Sequence, residues 1–323
     1  MSYKSTIVVT GGQTGLGYEA ARVIAKERPN SQIIISSRSS GEEAAKTINQ
    51  ELRQSNVKYL KLDLGSLNDV RKFADQVIAI GLPISVLVFN AGIQLPNGVA
   101  YTTDGLETTF GVNHVGHALL FHLLQPHLSN NARVILTSSG THDPAQKSGL
   151  PDAKYVTAEL LAHPDEATMK YAGRQRYATS KLCNVLWAYA LDRQRTKAKS
   201  NITVTAFDPG LMPGTGLARD ASAVEKFLWH RVLPHIIPLL RVLISPNIHT
   251  PHESGRNLAR LAVSSEVEGV SGKYFEAEKS INSSKDSYDE SKQQDLWNWT
   301  VEFVARDKAE VEAFQSLNQG TKA

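Results

Sequence analysis

The sequence predicts an α/β fold: a doubly wound parallel sheet in a three-layer α/β/α arrangement. Three observations carry this reading. Short β-branched runs alternate with longer segments of helical period. The apolar runs lack in/out alternation, as strands buried on both faces do. A glycine-rich turn, Gly11–Gly17, joins the first apolar run to the first helical segment.

Taken in order, Thr6–Thr10 (TIVVT) reads as the first strand and Gly15–Arg28 as the helix after it. Gln32–Ser36 (QIIIS) is the second strand, with a helix over Gly41–Ser55. Val57–Asp63 and Asn68–Ile80 form the third strand–helix pair. Ile84–Asn90 (ISVLVFN) is the fourth strand, and Thr103–Leu124 is helical. Arg133–Thr137 is the fifth strand, Gly173–Arg195 a long helix, and Ile202–Phe207 the sixth strand. Gly272–Phe275 suggests a short last strand, and Trp297 and Trp299 anchor a closing helix. The segments at about 140–172 and 217–254 fall outside the pattern and read as insertions over one end of the sheet. The expectation is one domain over residues 1–323.

Composition narrows the function. With 41% apolar residues, 35 Lys+Arg and 32 Asp+Glu, the net charge is +3, which excludes a disordered chain. No long basic block is present, so nucleic acid is not the expected partner. One cysteine, Cys183, excludes an intramolecular disulfide framework and a cysteine-cluster metal site. No apolar run reaches the roughly 18 residues of a membrane span. The N-terminus runs straight into a strand without an apolar signal core, so a reducing, cytoplasmic setting is expected.

The turn Thr10-Gly11-Gly12-Gln13-Thr14-Gly15-Leu16-Gly17 lies between a strand and a helix. Glycines there let the backbone approach a pyrophosphate, which the N–H groups and dipole of the next helix attract. The second strand ends Ser36-Ser37-Arg38-Ser39. It offers no carboxylate to a ribose 2′-hydroxyl, and Arg38 offers a planar cation suited to a 2′-phosphate. That points to NADP(H). Asp63, within Leu62-Asp63-Leu64, either accepts from an adenine amino group or caps a helix. Asn90-Ala91-Gly92 either packs closely against a cofactor ribose or simply turns the chain.

The acid–base signal is Tyr177-Ala178-Thr179-Ser180-Lys181, in which Tyr and Lys share one helix face. A phenol titrates near pH 10, and lowering it by two or three units takes roughly 3–4 kcal/mol. A cation about 4 Å away at an effective dielectric near 20 supplies about 4 kcal/mol. Ser138-Ser139 follows the fifth strand, where a hydroxyl can bond a substrate oxygen. Asn113 sits in a predicted helix, where it can bend the helix, bind a water and connect Lys181 to solvent. His114 and His117 lack cysteine or carboxylate companions and read as structural histidines.

Together these residues resemble the short-chain dehydrogenase/reductase family. The likeness covers roughly residues 5–215. It rests on T-G-x-x-x-G-x-G at Thr10–Gly17, N-A-G at Asn90–Gly92, the set Asn113, Ser139, Tyr177 and Lys181, and Asp208-Pro209-Gly210. The resemblance implies a Rossmann-type sheet, a nicotinamide cofactor, and hydride transfer to a carbonyl or from an alcohol. It makes Tyr177 the proton donor or acceptor, and Lys181 its pKa-lowering partner and ribose ligand. Ser139 orients the substrate oxygen and Asn113 supports a proton relay. Gln13, Thr14, Leu16, Leu64 and the run Pro209-Gly210-Leu211 join the cofactor set, the last along the nicotinamide.

Asn113-His114-Val115-Gly116-His117, Ser180-Lys181-Leu182-Cys183-Asn184 and Ser37-Arg38 are similar to the retinol-dehydrogenase and protochlorophyllide-reductase-like branch. The long gap from Ser139 to Tyr177 fits that branch. Ser139 and Leu211 stand where the protochlorophyllide enzymes carry Thr and Cys, which favours a dark carbonyl reductase or alcohol dehydrogenase. Thr215 lies one residue past the family's usual threonine position.

Phe227–Leu240, broken by Pro234 and Pro238, reads as an apolar lid over a hydrophobic substrate. Shallow contact with a membrane surface is the alternative. Tyr155, Met169 and Tyr171 are candidates for the other wall. The expected function is an NADPH-dependent oxidoreductase acting on a bulky apolar ketone, aldehyde or alcohol. The rival readings are a light-dependent protochlorophyllide-type reductase and a non-catalytic NADP(H)-binding sensor or scaffold.

Overall fold

The computed structural model describes residues 2–39, 41–215 and 223–317. Residues 217–222 of the second expected insertion lie outside them.

Among the described residues, eight strands form one sheet in the order β3-β2-β1-β4-β5-β6-β7-β8. The strands are β1 (Ser5–Thr10), β2 (Ser31–Ser37), β3 (Val57–Lys61), β4 (Ile84–Phe89), β5 (Leu128–Thr137), β6 (Thr203–Asp208), β7 (Lys273–Glu276) and β8 (Lys279–Ile281). Neighbours from β3 to β7 pair in parallel, and β8 returns antiparallel on β7. The expected doubly wound sheet is therefore present. Chain order reverses between β1 and β4, whose C-terminal ends open the crevice where such sheets bind ligands.

The helices cover both faces. On one side, α1 (Gly15–Glu27), α2 (Glu42–Leu52) and α10 (Pro251–Val263) pack Ala20, Ile24, Ile48 and Leu258 against Ile7, Val9, Ile33 and Ile35. On the other, α3 (Leu67–Ile78), α5 (Gly116–Leu124), α7 (Gly173–Lys197) and α11 (Glu290–Val304) bury Phe73, Phe121, Trp187 and Trp297 against Val8, Ile34 and Leu87. Covered from both sides, β1, β2 and β6 are buried almost without a break, which is why their residues do not alternate apolar with exposed polar. The outermost strands differ: Lys58 and Lys61 on β3 and Lys279 on β8 are exposed.

Some boundaries moved. The helix expected from Thr103 starts at Thr108, because Gly105 (φ +81) turns the chain first. It runs through α4 (Thr108–Phe110) and a π-helical turn, Gly111–Val115, into α5. β5 begins at Leu128, which pairs with Ile84 before the register shifts and regular pairing resumes at Arg133. β8 is short and polar and gave no strand signal. The closing helix is α11, with Trp297 buried and Trp299 stacked on Phe303 at 4.8 Å. The remaining helices are α6 (Ala158–Ala162), α8 (Ala223–Phe227), α9 (Ile237–Leu243) and α12 (Lys308–Gln315).

Candidate active site

A cleft of about 910 Å³ lies at the C-terminal ends of the central strands. The glycine turn forms its floor. Gly11 and Gly15 take φ of +68 and +58, which favours glycine. A Cβ on Gly17 would overlap the Gly11 carbonyl and lie 2.5 Å from Asn90 Nδ2, so a side chain there would break the loop. Thr14 caps α1 without a side-chain bond, and the first turn of α1 holds no acid. Its N–H groups and positive end therefore remain available to an anion.

The β1 and β4 loops are tied together. Thr10 Oγ1 accepts from the Asn90 and Ala91 amides at 2.9 and 3.1 Å. Asn90 Nδ2 donates to Thr10 O at 2.9 Å. Gln13 reaches across to β2, where Ser37 Oγ donates to its Oε1. Arg38 is exposed on the cleft rim beside Ser37 and Ser39. A glycine cradle over a helix start, with a guanidinium at the end of β2, fits a dinucleotide.

Asp63 is not among the lining residues, although Leu62 and Leu64 are. Its Oδ1 accepts from Gly65 N at 2.9 Å, and Ser66, not Asp63, caps α3. The capping role therefore falls to Ser66, while Asp63 Oδ1 closes a local turn. Ala91, Gly92, Pro209, Gly210 and Leu211 line the cleft. Thr215 also faces it, with its hydroxyl bonded to Met212 O at 3.0 Å.

The acid–base residues converge. Tyr177 and Lys181 lie on one face of α7, 6% and 3% exposed, with Lys181 Nζ 5.5 Å from the phenol ring centroid. The Ser139 side chain interacts with the phenol hydroxyl and favours its charged form. Lys181 Nζ donates to Thr137 O at 3.2 Å, and Ser138 Oγ donates to Lys181 O at 2.8 Å. The end of β5 thus grips α7 directly below the pair.

The protein's own groups do not lower the phenol. Burial raises the Tyr177 pKa, the Asp208 carboxylate raises it further, and the Ser139 side chain opposes them. Burial holds the Lys181 ammonium down to about 8, with Asp208 opposing. The expectation of lysine-driven lowering assumed about 4 Å of separation. The backbone oxygen of Thr137 instead holds the ammonium to one side.

Asn113 occupies the π turn, fully buried. Its Oδ1 accepts from Ile93 N at 2.8 Å, while Nδ2 donates to Ile93 O and Ser180 Oγ at 3.0 and 2.9 Å. The amide pins the turn after Gly92 against α7. His114 and His117 are buried, and their Nε2 atoms bond Thr300 Oγ1 at 3.0 Å and Thr10 Oγ1 at 2.9 Å. They are structural, as expected.

The apolar walls come from two insertions. Leu228, Trp229, Leu233 and Ile244 line one side, with Trp229 Nε1 donating to Thr215 O at 2.9 Å. The other side is Gln146, Lys147, Ser148 and Leu150, not Tyr155, Met169 and Tyr171. Tyr155 is drawn away because its hydroxyl donates to Asp295 on α11 at 2.6 Å. Sequence reasoning also gave no role to Asp208 or to Asn247, its partner. The two are far apart in the chain, and no local motif joins them.

Comparison with known proteins agrees with this geometry. A family model described as short chain dehydrogenase matches residues 5–149, and one described as AcuH dehydrogenase domain matches residues 218–311. Polyprenol dehydrogenase of Danio rerio is 32% identical over 92% of this chain and 86% of its own length. Retinol dehydrogenase 12 of Mus musculus is 29% identical over 92% of this chain and 85% of its own. A solved structure of an uncharacterized Mycobacterium paratuberculosis protein superposes with a TM-score of 0.68, at 27% identity and 94% coverage of both chains. Sheet order, glycine cradle and extended likeness agree: the chain belongs to the short-chain dehydrogenase family, oxidoreductases that use nicotinamide cofactors.

Proposed function

We propose that the protein is an NADP(H)-dependent oxidoreductase that moves a hydride between the cofactor and a bulky apolar ketone, aldehyde or alcohol. The observation that carries this is convergence in one cleft: glycine cradle, Arg38, Ser139, Tyr177 and Lys181. A bound nicotinamide supplies or accepts the hydride and, when oxidised, sets a positive charge in the cleft. Tyr177 gives its hydroxyl proton to the carbonyl oxygen, or takes one from an alcohol. Ser139 donates to the same oxygen as a fixed dipole. Lys181, which lines the cleft, would hold a ribose hydroxyl of the cofactor. The size of the cleft and its leucine, tryptophan and isoleucine wall favour a large apolar substrate. Relatives named for polyprenol and retinol, both apolar alcohols, support this class.

Initial rates with aldehydes, quinones and retinoids, followed at the NADPH absorbance band in darkness, test the reading. Turnover in the dark excludes the light-driven alternative, and no turnover with any of them favours the sensor or scaffold. Cofactor choice has its own test. Arg38→Asp is expected to weaken NADPH relative to NADH by at least about tenfold, or about 1.4 kcal/mol. An unchanged preference would locate the phosphate contact elsewhere.

The second insertion also exposes Val224, Phe227, Val242, Leu243 and Ile244, the last of which lines the cleft. No helix among the described residues is long and apolar enough to cross a membrane. These side chains favour a rim that meets an apolar phase, so the proposal includes shallow contact with a lipid surface. Co-sedimentation with phosphatidylcholine vesicles is the expected result; protein left wholly in the supernatant removes this part.

A further inference from the structure

Asp208 ends β6 and lines the cleft beside the acid–base residues, yet the steps above give it no task. It is 1% exposed. Its Oδ1 accepts from Gly210 N at 2.9 Å and its Oδ2 from Asn247 Nδ2 at 2.9 Å. Both donors are neutral. Among the described residues, none of the ion pairs includes Asp208. With neutral donors alone on its oxygens, a charge on this carboxylate acts across the low-dielectric cleft.

Its neighbours register that charge from several elements. Asp208 raises Tyr177 and supports the charge on Lys181, both on α7. It also raises His142 after β5, His249 before α10, and Tyr274 and Glu276 on β7. A buried carboxyl side chain therefore lines a cleft that fits a molecule whose reacting ring changes charge.

Resting on the cofactor reading above, we propose that Asp208 is the counter-charge of the oxidised nicotinamide, tightening the oxidised cofactor relative to the reduced one. The oxidised ring is cationic and the reduced ring neutral, while every phosphate and ribose contact is common to both. A fixed carboxylate in the cleft therefore acts on the ratio of the two affinities. The same charge keeps the phenol protonated, which opposes alcohol oxidation. The chemical step thus feels two effects of opposite sign, and the binding ratio is the clean readout.

Calorimetric titration of the whole protein with NADP+ and NADPH, and in parallel with NAD+ and NADH, tests the proposal. Asp208→Asn keeps an oxygen to accept from Gly210 N. It is expected to weaken the oxidised form about tenfold and leave the reduced form within about twofold, a ratio change of about 1.4 kcal/mol. A second variant spares the buried bonds. Asp208 Oδ2 lies 3.0 Å from where a Cβ on Gly140 would sit, and Gln146 Oε1 crowds the same point. Gln146→Lys sets an ammonium beside the carboxylate and is expected to shift the ratio in the same direction, even if Asp208→Asn does not fold. Equal weakening of both forms, or an unmoved ratio in every folded variant, overturns the proposal. Wild-type protein that binds none of the four nucleotides overturns the cofactor reading instead.

Discussion

Replacing Tyr177 with Phe is expected to lower kcat roughly a thousandfold while leaving nicotinamide cofactor affinity within about twofold. The ring is packed at 6% exposure, and Phe refills that volume. What disappears is the hydroxyl that interacts with Ser139 and that faces the substrate oxygen. Proton transfer by a positioned side chain contributes about 10²–10⁴-fold, so a loss in this range marks general acid–base work. Steady-state rates together with cofactor titration separate the two effects. Retained turnover would mean the phenol is structural. A matching loss of cofactor binding would mean that it holds the nucleotide rather than the proton.

Acid should unfold the protein early, and the reason lies beneath the site. His114, His117 and His122 are buried on the helix formed by the π turn and α5, and burial pushes each down to about 3 from an ordinary 6.5. The charge on Lys181 further lowers His117, and neighbouring histidines further lower His114. Their folded-state affinity for protons is below that of the unfolded chain. Stability is thus complete above pH 6.5 and is lost as pH falls toward 3. Three such groups take up protons together on unfolding, so the slope approaches about 4 kcal/mol per pH unit. Two units of acidification would then remove about 8 kcal/mol, against about 5–15 kcal/mol for a typical domain's whole stability.

Denaturant midpoints measured from pH 7 down to about pH 4.5 read this slope directly. His122 is the clean variant. Its Nε2 has no hydrogen-bond partner among the described residues, and its ring stacks on Phe314 at 4.8 Å. His122→Phe is expected to remove about one proton from the uptake and to stabilise the protein in acid. A midpoint that does not move with pH would mean the three rings are not sequestered.

Much of this architecture was readable before any coordinates, and the reasons are local. TIVVT, QIIIS and ISVLVF are strands because their β-branched residues are buried on both faces of a central sheet. The glycine turn and the Tyr177/Lys181 spacing are short-range features, and the fold places them where their chemistry suggested. What the spacing did not show is the partner each polar side chain takes. Asp63 Oδ1 accepts from Gly65 N two residues on, while Asn113 bonds Ile93 and Ser180 across the fold. Tyr155 is claimed by Asp295. A hydrogen-bonding side chain has many possible partners, and its spacing along the chain does not choose among them. Asp208 shows the same limit from the other side: its motif was visible, but its burial next to Tyr177 was not.

The lysines on the two outermost strands have a consequence for the molecule's behaviour in a crowded solution. Unpaired N–H and C=O groups at a sheet border are templates for recruiting a strand from another copy. At one border, Lys58 and Lys61 hold charge over that row, and at the other a three-residue strand bearing Lys279 leaves little length to pair. Stacking border to border would bring like charges together and bury them without partners. Fibril growth through the sheet is disfavoured at both ends, leaving the β-branched centre of the sheet free to be as apolar as its packing demands.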